Sequence, residues 1–357
     1  MTNGGGPVNL FEFEALAKER LPREEFDYIA GGATDELSVE RNRRAYQSWA
    51  LRPRVLRDVS ALDLSTTVLG TRVEIPVLIA PCGAHRRAHP EGEIATYRAA
   101  AAAGTIFVMS ANASISFEEV ARAASGHLWM QLYPFRDRRL TEEWIERASR
   151  AGYEAIVVTL DSQWPPKRER DLRNGYRRTR GVNYPKVDPS QASHAGRRGS
   201  GEGADPAATW KDLEWIKSIA RLPVVAKGIM TAEDAALCAE AGADAVIVSN
   251  HGGRHLDNTL ATIEVLSEAV AASAGRTEIL LDGGIRRGGD VVKALALGAK
   301  AVLIGRPLFW GLAAGGEHGV RRVLEILREE IEITMAKCGC PSIAAIDSRV
   351  VVKAPPL

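Results

Sequence analysis

Residues 241–254 read Ala-Gly-Ala-Asp-Ala-Val-Ile-Val-Ser-Asn-His-Gly-Gly-Arg, and they contain the unit from which we predict the fold. Gly242 ends an Ala-rich segment of helical pattern, because glycine supplies the left-handed cap that a tight turn into a strand needs. An almost continuous apolar run follows over residues 245–250, as expected for a strand covered on both faces. Polar side chains, Ser249 to His251, mark the end of the run.

The same order of helix, glycine, apolar run and polar end recurs along the chain and predicts a parallel sheet of βα units. The candidate strands are residues 75–81, 105–110, 128–133, 155–161, 222–228, 245–250, 278–284 and 301–306. Segments of helical pattern lie between them, for example residues 92–103, 117–124, 141–151 and 231–241. Eight such units favour an α/β fold of the closed (β/α)8 TIM barrel type over an open doubly wound sheet.

The remaining segments predict additions to the barrel and no second domain. Residues 10–30 are expected to form an N-terminal helical extension, residues 52–63 an extended chain, and residues 320–337 a long amphipathic helix. The connection after strand four is unusually long, and its middle, residues 177–208, is rich in Arg, Gly, Ser and Pro, as in a long loop. We therefore predict one domain over residues 1–357.

Composition excludes several classes of partner. The chain has 46 basic and 45 acidic side chains, a net charge of +1, so no overall field attracts nucleic acid or an anionic membrane. We find neither a signal-peptide pattern nor the roughly 18 apolar residues in a row that a membrane span needs. The four cysteines follow neither a disulfide framework nor a zinc spacing. We expect a cytoplasmic protein with free thiols and without a bound metal.

Polar side chains concentrate at five adjacent strand ends, where active sites of such barrels lie. They are Gln131 and Tyr133, then Thr159 and Asp161, Lys227, Ser249 to His251, and Asp282 to Gly284. A single polar residue at a strand end often only caps the strand. Five adjacent ends with titratable or hydrogen-bonding groups indicate a catalytic site.

Glycine turns with arginines follow the last two strands. Asp282-Gly283-Gly284-Ile285-Arg286 and Gly305-Arg306 combine backbone that approaches a ligand closely with guanidinium groups that can hold a phosphate. Glycine turns beside surface arginines are the alternative interpretation. Phosphate sites are common at this position in barrels, which favours a phosphorylated cofactor or substrate.

Four motifs in order resemble the FMN-dependent 2-hydroxy acid oxidase and dehydrogenase family, typified by glycolate oxidase. They are residues 89–93 (His-Pro-Glu-Gly-Glu), 168–175 (Arg-Glu-Arg-Asp-Leu-Arg-Asn-Gly), 249–257 (Ser-Asn-His-Gly-Gly-Arg-His-Leu-Asp) and 281–286 (Leu-Asp-Gly-Gly-Ile-Arg). The resemblance extends from about Phe11 to about Met335. It implies a (β/α)8 fold, FMN as cofactor and a tetrameric assembly.

The resemblance also implies roles for individual residues. His251 matches the catalytic base and Asp161 the carboxylate that orients it, while Arg168, Arg254, Tyr28 and Tyr133 match substrate-binding groups. Residues that match flavin contacts are Pro81, Cys82, Gly83, Ser110, Gln131, Thr159, Lys227, Ser249, Asp282, Gly284, Arg286, Gly305 and Arg306. Asn112 stands where short-chain oxidases often carry an aromatic residue, which favours a bulkier or more polar acid than glycolate.

These matches predict oxidation of an (S)-2-hydroxy acid to the 2-oxo acid, with reoxidation by O2 giving H2O2. A dehydrogenase with another electron acceptor is the alternative, and residue identity does not separate hydride transfer from a carbanion route. Two rivals lie outside this chemistry. One is a Schiff-base aldolase that uses Lys227, and the other is a non-catalytic binding barrel.

Overall fold

The computed structural model describes residues 6–177, 180–185 and 204–355, which form a closed barrel of eight parallel strands surrounded by helices. We number the barrel strands in chain order: β1 Val77–Ile79, β2 Ile106–Met109, β3 His127–Leu132, β4 Ala155–Thr159, β5 Val224–Ile229, β6 Ala245–Val248, β7 Glu278–Asp282 and β8 Ala301–Ile304. Strand β8 pairs with β1, with Val302 opposite Val77, and this pairing closes the barrel. The predicted (β/α)8 fold and its eight strands are confirmed.

Side chains that point alternately to the two faces of the strands form two layers of the hydrophobic core. On β2, Ile106 and Val108 belong to a small buried cluster that fills the barrel, together with Trp129 of β3. The intervening Phe107 and Met109 belong to the larger cluster between the strands and the surrounding helices. Both faces of each strand are therefore apolar, because side chains of a strand point alternately to its two sides.

The helices that surround the barrel begin and end close to the predicted positions. In chain order they are α1 Leu10–Arg20, α2 Arg23–Ala30, α3 Leu37–Arg44, α4 Gly92–Ala102, α5 Phe117–Ala121, α6 Arg138–Arg150, α7 Glu169–Arg173, α8 Trp210–Ile219, α9 Ala232–Glu240, α10 Thr262–Ser273, α11 Gly288–Ala296 and α12 Arg306–Cys338. Two short antiparallel pairs complete the secondary structure: Trp49–Leu51 with Val351–Lys353, and Thr66–Val68 with Thr71–Val73. Within the described ranges, no helix is long and apolar enough to cross a membrane.

The N-terminal extension is two helices where the pattern predicted one segment. Helix α1 ends at Arg20 and α2 begins at Arg23, with Pro22 as its N-cap residue. Proline disfavours helical backbone in the residue before it and lacks an N–H, so the helix breaks there. The break directs α2 toward the barrel mouth.

The last helix also differs from its predicted bounds. Helix α12 begins at Arg306, immediately after β8, and bends at Gly315 and Gly316 before continuing through the predicted residues 320–337. Gly316 has φ +58°, and a Cβ there would lie 2.8 Å from the His89 ring. Glycine is therefore required at the bend.

The long connection after β4 is described only in part. Helix α7 lies near its start, and α8 is the barrel helix at its end. Residues 178–179 and 186–203 of the predicted loop lie outside the described residues.

Substitutions at two adjacent glycines at the start of α11 allow a test of how this helix packs against α12. A Cβ at Gly288 would lie 2.4 Å from the Ile331 nitrogen, whereas at Gly289 the nearest atom is Leu51 Cδ1 at 3.7 Å. We expect Gly288→Ala to lower the free energy of unfolding by about 1–3 kcal/mol, because no space exists for the methyl group. Gly289→Ala should change it by less than about 1 kcal/mol, toward greater stability. Urea unfolding of both variants, followed by circular dichroism, measures the difference, and equal midpoints would contradict the packing described.

Candidate active site

A cavity of about 1000 Å³, including its open mouth, lies at the carboxyl ends of the barrel strands. The predicted site residues that line it are Tyr28, Pro81, Cys82, Gly83, Ser110, Asn112, Tyr133, Arg168, Lys227, His251, Arg254, Asp282, Gly284, Arg286, Gly305 and Arg306. The other four predicted residues lie behind this lining. Each of them contacts a lining residue, so the structure brings the whole predicted set together.

His251 and Asp161 form a hydrogen-bonded pair at the cavity. The Nδ1 atom of His251 lies 2.9 Å from Asp161 Oδ1, and the second carboxylate oxygen, Oδ2, is buried without a hydrogen-bond partner. Burial raises the pKa of Asp161, although the positive charge of Lys227 opposes this effect. Gly228 allows the Asp161 side chain to lie close to the β5 backbone, since a Cβ at position 228 would lie 2.7 Å from that side chain.

The backbone at His251 adopts a conformation that is unusual for a residue with a side chain. Its φ is +55°, and Gly252 and Gly253 continue the left-handed turn with φ of +65° and +74°. The Oγ atom of Ser249 accepts a hydrogen bond from the His251 N–H at 3.1 Å and stabilises this turn. Strained backbone of this kind is characteristic of functional sites, and here it aims the imidazole into the cavity.

Lys227 is a buried cation that joins the ends of neighbouring strands. Its Nζ donates to Ser249 Oγ at 2.9 Å and lies 3.2 Å from Asp282 Oδ2. Burial disfavours the ammonium ion, but the carboxylates of Asp282 and Asp161 outweigh burial and raise the pKa of Lys227. Thr159 lies opposite Lys227 in the β4–β5 ladder, behind the cavity lining.

Two further arginines lie at the ends of β7 and β8, where Arg286 is buried and Arg306 is half-buried. Burial lowers the pKa of Arg286 to about 10. Burial and the charge of Arg286 together lower the pKa of Arg306 to about 10. The Nε of Arg286 has no hydrogen-bond partner, while its guanidinium lies 4.6 Å from the Trp310 ring centroid. Arg306 donates to backbone oxygens of Ile29 to Gly31 and of Gly252. Buried cations that repel each other create a strong preference for an anionic ligand.

Arg168 and Arg254 meet at Tyr28. Their guanidinium carbons lie 5.2 Å and 5.0 Å from the centroid of its ring, which also stacks on Tyr176 at 4.6 Å. Arg168 Nε donates to Asp171 at 2.8 Å, and Arg254 Nη1 donates to the backbone oxygens of Tyr28 and Gly31. Helix α2 therefore supplies one wall of a pocket that carries two positive charges.

Asn112 and Tyr133 also line the cavity. Gly83 and Gly181 pack closely against Asn112, since a Cβ at these glycines would lie 2.9 Å and 2.7 Å from Asn112 atoms. The Oε1 atom of Gln131 accepts hydrogen bonds from Ser110 Oγ and the Ala111 N–H, which fixes the loop before Asn112. This wall is therefore built by β2, β3 and the described part of the long connection.

Several contacts at the site have no counterpart in the sequence prediction. The ring of His255 lies 4.2 Å from that of His251, and Asn42 and Asn250 exchange two side-chain hydrogen bonds of 2.8 and 2.9 Å. Asp257 accepts hydrogen bonds from the backbone N–H groups of Asp35, Leu37 and Ser38, tying the start of α3 to the β6 loop. His255 and Asp257 both lie within the motif at residues 249–257. The partners of Asp257 are distant in sequence, whereas the contact of His255 with His251 depends on the path of the loop between them.

The described residues contain no group of three or more His, Cys, Asp or Glu side chains that is arranged to hold a metal ion. The four cysteines are free thiols. Cys82 lines the cavity, and burial raises the pKa of its thiol to about 11, so it is protonated at neutral pH.

The barrel and its cation-rich mouth define an enzyme that binds phosphorylated and carboxylated ligands. A family model for FMN-dependent dehydrogenases matches residues 17–353, and the chain belongs to this family. It is therefore an FMN-dependent oxidoreductase.

Individual relatives agree with this assignment. The chain is similar to glycolate oxidase 1 of Oryza sativa subsp. indica, with 47% identity over 350 residues, 96% of this chain and 95% of the relative. It is similar to an L-lactate oxidase of Nostoc sp., with 47% identity over 360 residues, 98% of this chain and 99% of the relative. Among solved structures, a mandelate oxidase variant with (S)-mandelic acid matches with a TM-score of 0.89 and 41% identity, over 99% of this chain and 100% of that one.

The residues at the cavity fit FMN on chemical grounds. A phosphate group matches the two desolvated guanidinium groups of Arg286 and Arg306. The Oδ1 atom of Asp282 is buried without a partner and can accept a hydrogen bond from a ribityl hydroxyl. A buried cation such as Lys227 would stabilise negative charge on a reduced flavin ring.

Neighbouring arginines allow a test of the phosphate contact. We expect Arg286→Gln to weaken FMN binding about 10- to 100-fold, because a charge-assisted hydrogen bond is worth about 1.5–3 kcal/mol. Riboflavin, which lacks the phosphate, should bind the variant and the parent protein similarly. Arg287→Gln is the matched control, since Arg287 pairs with Glu330 and does not line this cavity. Flavin fluorescence titration of the three apoproteins with the two flavins gives the six affinities, and equal losses for FMN and riboflavin in Arg286→Gln would refute a phosphate contact.

Proposed function

We propose that this protein oxidises an (S)-2-hydroxy acid to the corresponding 2-oxo acid, with His251 as the base and Arg168 and Arg254 as the carboxylate anchors. The proposal rests mainly on the 2.9 Å hydrogen bond between His251 Nδ1 and Asp161 Oδ1, together with the guanidinium groups of Arg168 and Arg254, which meet at Tyr28. An imidazole held by a carboxylate accepts a proton readily, because the carboxylate stabilises the imidazolium ion.

The proton acceptor is the Nε2 atom of His251, since Nδ1 is engaged by Asp161. The pair requires that Nδ1 carry the hydrogen and donate it to the carboxylate, which leaves the Nε2 lone pair for the substrate. After proton transfer, the imidazolium and Asp161 form an ion pair. The same geometry serves removal of the α-proton and removal of the hydroxyl proton.

The substrate carboxylate lies between Arg168 and Arg254, with Tyr28 and Tyr133 as further hydrogen-bonding groups. Arg168 is buried and held by Asp171, so its orientation is fixed before substrate arrives. Two fixed cations lower the cost of desolvating a carboxylate and place its α-carbon near His251. This arrangement supports selection for 2-hydroxy acids over neutral alcohols.

The cofactor-binding roles are distributed around the other side of the cavity. The flavin-contacting residues are Pro81, Cys82, Gly83, Ser110, Gln131, Thr159, Lys227 and Ser249, and the ribityl and phosphate contacts are Asp282, Gly284, Arg286, Gly305 and Arg306. When bound, FMN accepts the two electrons of the oxidation and passes them to O2, giving H2O2.

The surroundings of Lys227 oppose the aldolase alternative. A Schiff-base lysine must lose its proton to act as a nucleophile. Lys227 lies between two carboxylates that raise its pKa, and its Nζ already donates to Ser249. Its charge is therefore retained at neutral pH, which suits electrostatic stabilisation.

Asn112 supports a substrate larger or more polar than glycolate. Asn112 lines the cavity, and its side chain offers both a donor and an acceptor. The similarity to a mandelate oxidase favours aryl-substituted acids as the first candidates. The oxidase activity, a cytoplasmic location and a homotetrameric state belong to this proposal, whose alternative is a dehydrogenase with another electron acceptor.

Anaerobic reduction of the bound flavin tests the function directly. The purified holoprotein is mixed without oxygen with glycolate, L-lactate, (S)-mandelate and a non-hydroxylated acid as control. Loss of the visible flavin absorption with at least one 2-hydroxy acid is expected, and failure with a broad panel would favour the non-catalytic barrel. Admission of air should restore the colour and release H2O2, whereas a dehydrogenase would recover slowly.

Substitution of the base separates binding from chemistry. We expect His251→Asn to retain FMN while lowering the rate of flavin reduction by at least about 100-fold, the lower range for general base catalysis. His318→Asn, at an exposed position of α12, is the control and should reduce at the parental rate. Stopped-flow absorbance measures both rates. A modest loss in the first variant would show that another group takes the proton.

Removal of an anchor should act mainly on substrate affinity. We expect Arg254→Met to raise KM about 10- to 100-fold, because it removes a charged hydrogen bond to the carboxylate. Arg173→Met is the control, since Arg173 is exposed and pairs with Glu169. Since Arg254 also holds backbone oxygens of Tyr28 and Gly31, the flavin spectrum and thermal stability of each variant are recorded first. An unchanged KM with an intact fold would exclude the anchor role.

A further inference from the structure

A second imidazole lies against the proposed base. The ring centroids of His255 and His251 are 4.2 Å apart, with 46° between the ring planes, and both side chains line the cavity. The two histidines belong to the same loop after β6, and neither the fold nor the carboxylate chemistry requires a histidine at position 255. Asp161 interacts electrostatically with His255 as well as hydrogen-bonding to His251.

We propose that His255 is a positioning residue for His251, the proposed base. Neutral His255 packs against the His251 ring, whereas protonated His255 opposes proton transfer to His251. The proposal rests on the function proposed above. It adds a second titratable group that makes the oxidation sensitive to acid pH.

Packing against His255 restricts the orientation of the His251 ring. The hydrogen bond to Asp161 fixes one nitrogen of His251, but a single hydrogen bond does not by itself set the plane of the ring. His255 contacts the ring itself, so the two contacts together define the direction of Nε2. The left-handed backbone at His251 further restricts the direction in which its side chain leaves the main chain.

The charged groups around His251 and His255 determine how many protons the two imidazoles hold together. The charged groups around the two imidazoles are Asp161 from the β4 end, Lys227 from β5, Arg254 from the same loop, and Arg168 with Asp171 from α7. Asp161 forms a hydrogen bond with His251 and interacts electrostatically with His255, and Lys227 already offsets part of its negative charge. One proton on the pair is therefore stabilised, whereas a second proton adds a cation beside an existing cation.

Two interacting imidazoles should titrate in coupled steps. In the parent protein, the histidine signals of His251 should show two inflections with pH, one from its own proton and one from His255. The acid limb of the kcat/KM profile should steepen from a slope of one toward a slope of two. Substitution of His255 by an uncharged side chain should leave a single step in both measurements.

Three variants separate packing from charge. His255→Phe keeps a ring without a titrating group, His255→Gln keeps hydrogen bonding without a ring, and His255→Arg supplies a permanent charge. We expect the first two to remove the second inflection, and His255→Gln to lower kcat more than His255→Phe does. His255→Arg should move the acid limb to lower pH by about one unit and lower kcat about tenfold, since a fixed cation disfavours the imidazolium.

The titration is followed by nuclear magnetic resonance of holoprotein with isotope-labelled histidine, which has seven histidines to assign. Flavin absorption and circular dichroism first confirm that each variant is folded and loaded. A single inflection for His251 in the parent protein, or two inflections that persist in both neutral variants, would overturn the proposal. The measurement needs no turnover, so it remains decisive if no 2-hydroxy acid reduces the flavin and the proposed function itself fails.

Discussion

The buried ammonium group of Lys227 is the interaction on which the arrangement of the site depends. It lies 3.2 Å from Asp282 and 2.9 Å from Ser249, and it opposes the burial effect on the pKa of Asp161. The charge of Lys227 offsets part of the cost of burying the carboxylates of Asp161 and Asp282. Lys227 thus favours the ionised form of Asp161, the partner of His251. In the proposed function it also presents positive charge to the flavin, so that one residue at the end of β5 supports both the proton acceptor and the electron acceptor.

The second organising feature is the end of helix α2. The last carbonyl groups of a helix lack partners within it and carry partial negative charge. Here the oxygens of residues 28–31 accept hydrogen bonds from Arg254 and Arg306. The N-terminal extension is therefore attached to the barrel by arginines that also line the cavity. This double use explains why the extension packs against the barrel and why Tyr28 has a fixed position at the site.

The sequence predicted the fold well because the barrel repeats one local pattern. Apolar runs recur eight times along the chain, several of them begin after a glycine and most of them end in polar residues. Each run is determined by near neighbours in the chain. The resemblance identified residues such as Lys227 and His251, which the structure places at one cavity. Contacts between distant segments were not predictable in this way. The Asn42–Asn250 pair joins residues 208 positions apart, and the contact of His255 with His251 depends on the path of a loop.

Backbone conformation explains why His251 and Gly284 lie just beyond the strands and not within them. A regular strand interior uses extended backbone, and its side chains point into the barrel or toward the helices. His251 and Gly284 have φ of +55° and +81°, which do not fit a regular ladder of hydrogen-bonded strands. The rigid barrel fixes where each strand ends, and the short left-handed turns then direct side chains into the common cavity. The strain at His251 is sustained by the Ser249 hydrogen bond and by glycines on its far side, so the precision of the base comes from the barrel rather than from the loop alone.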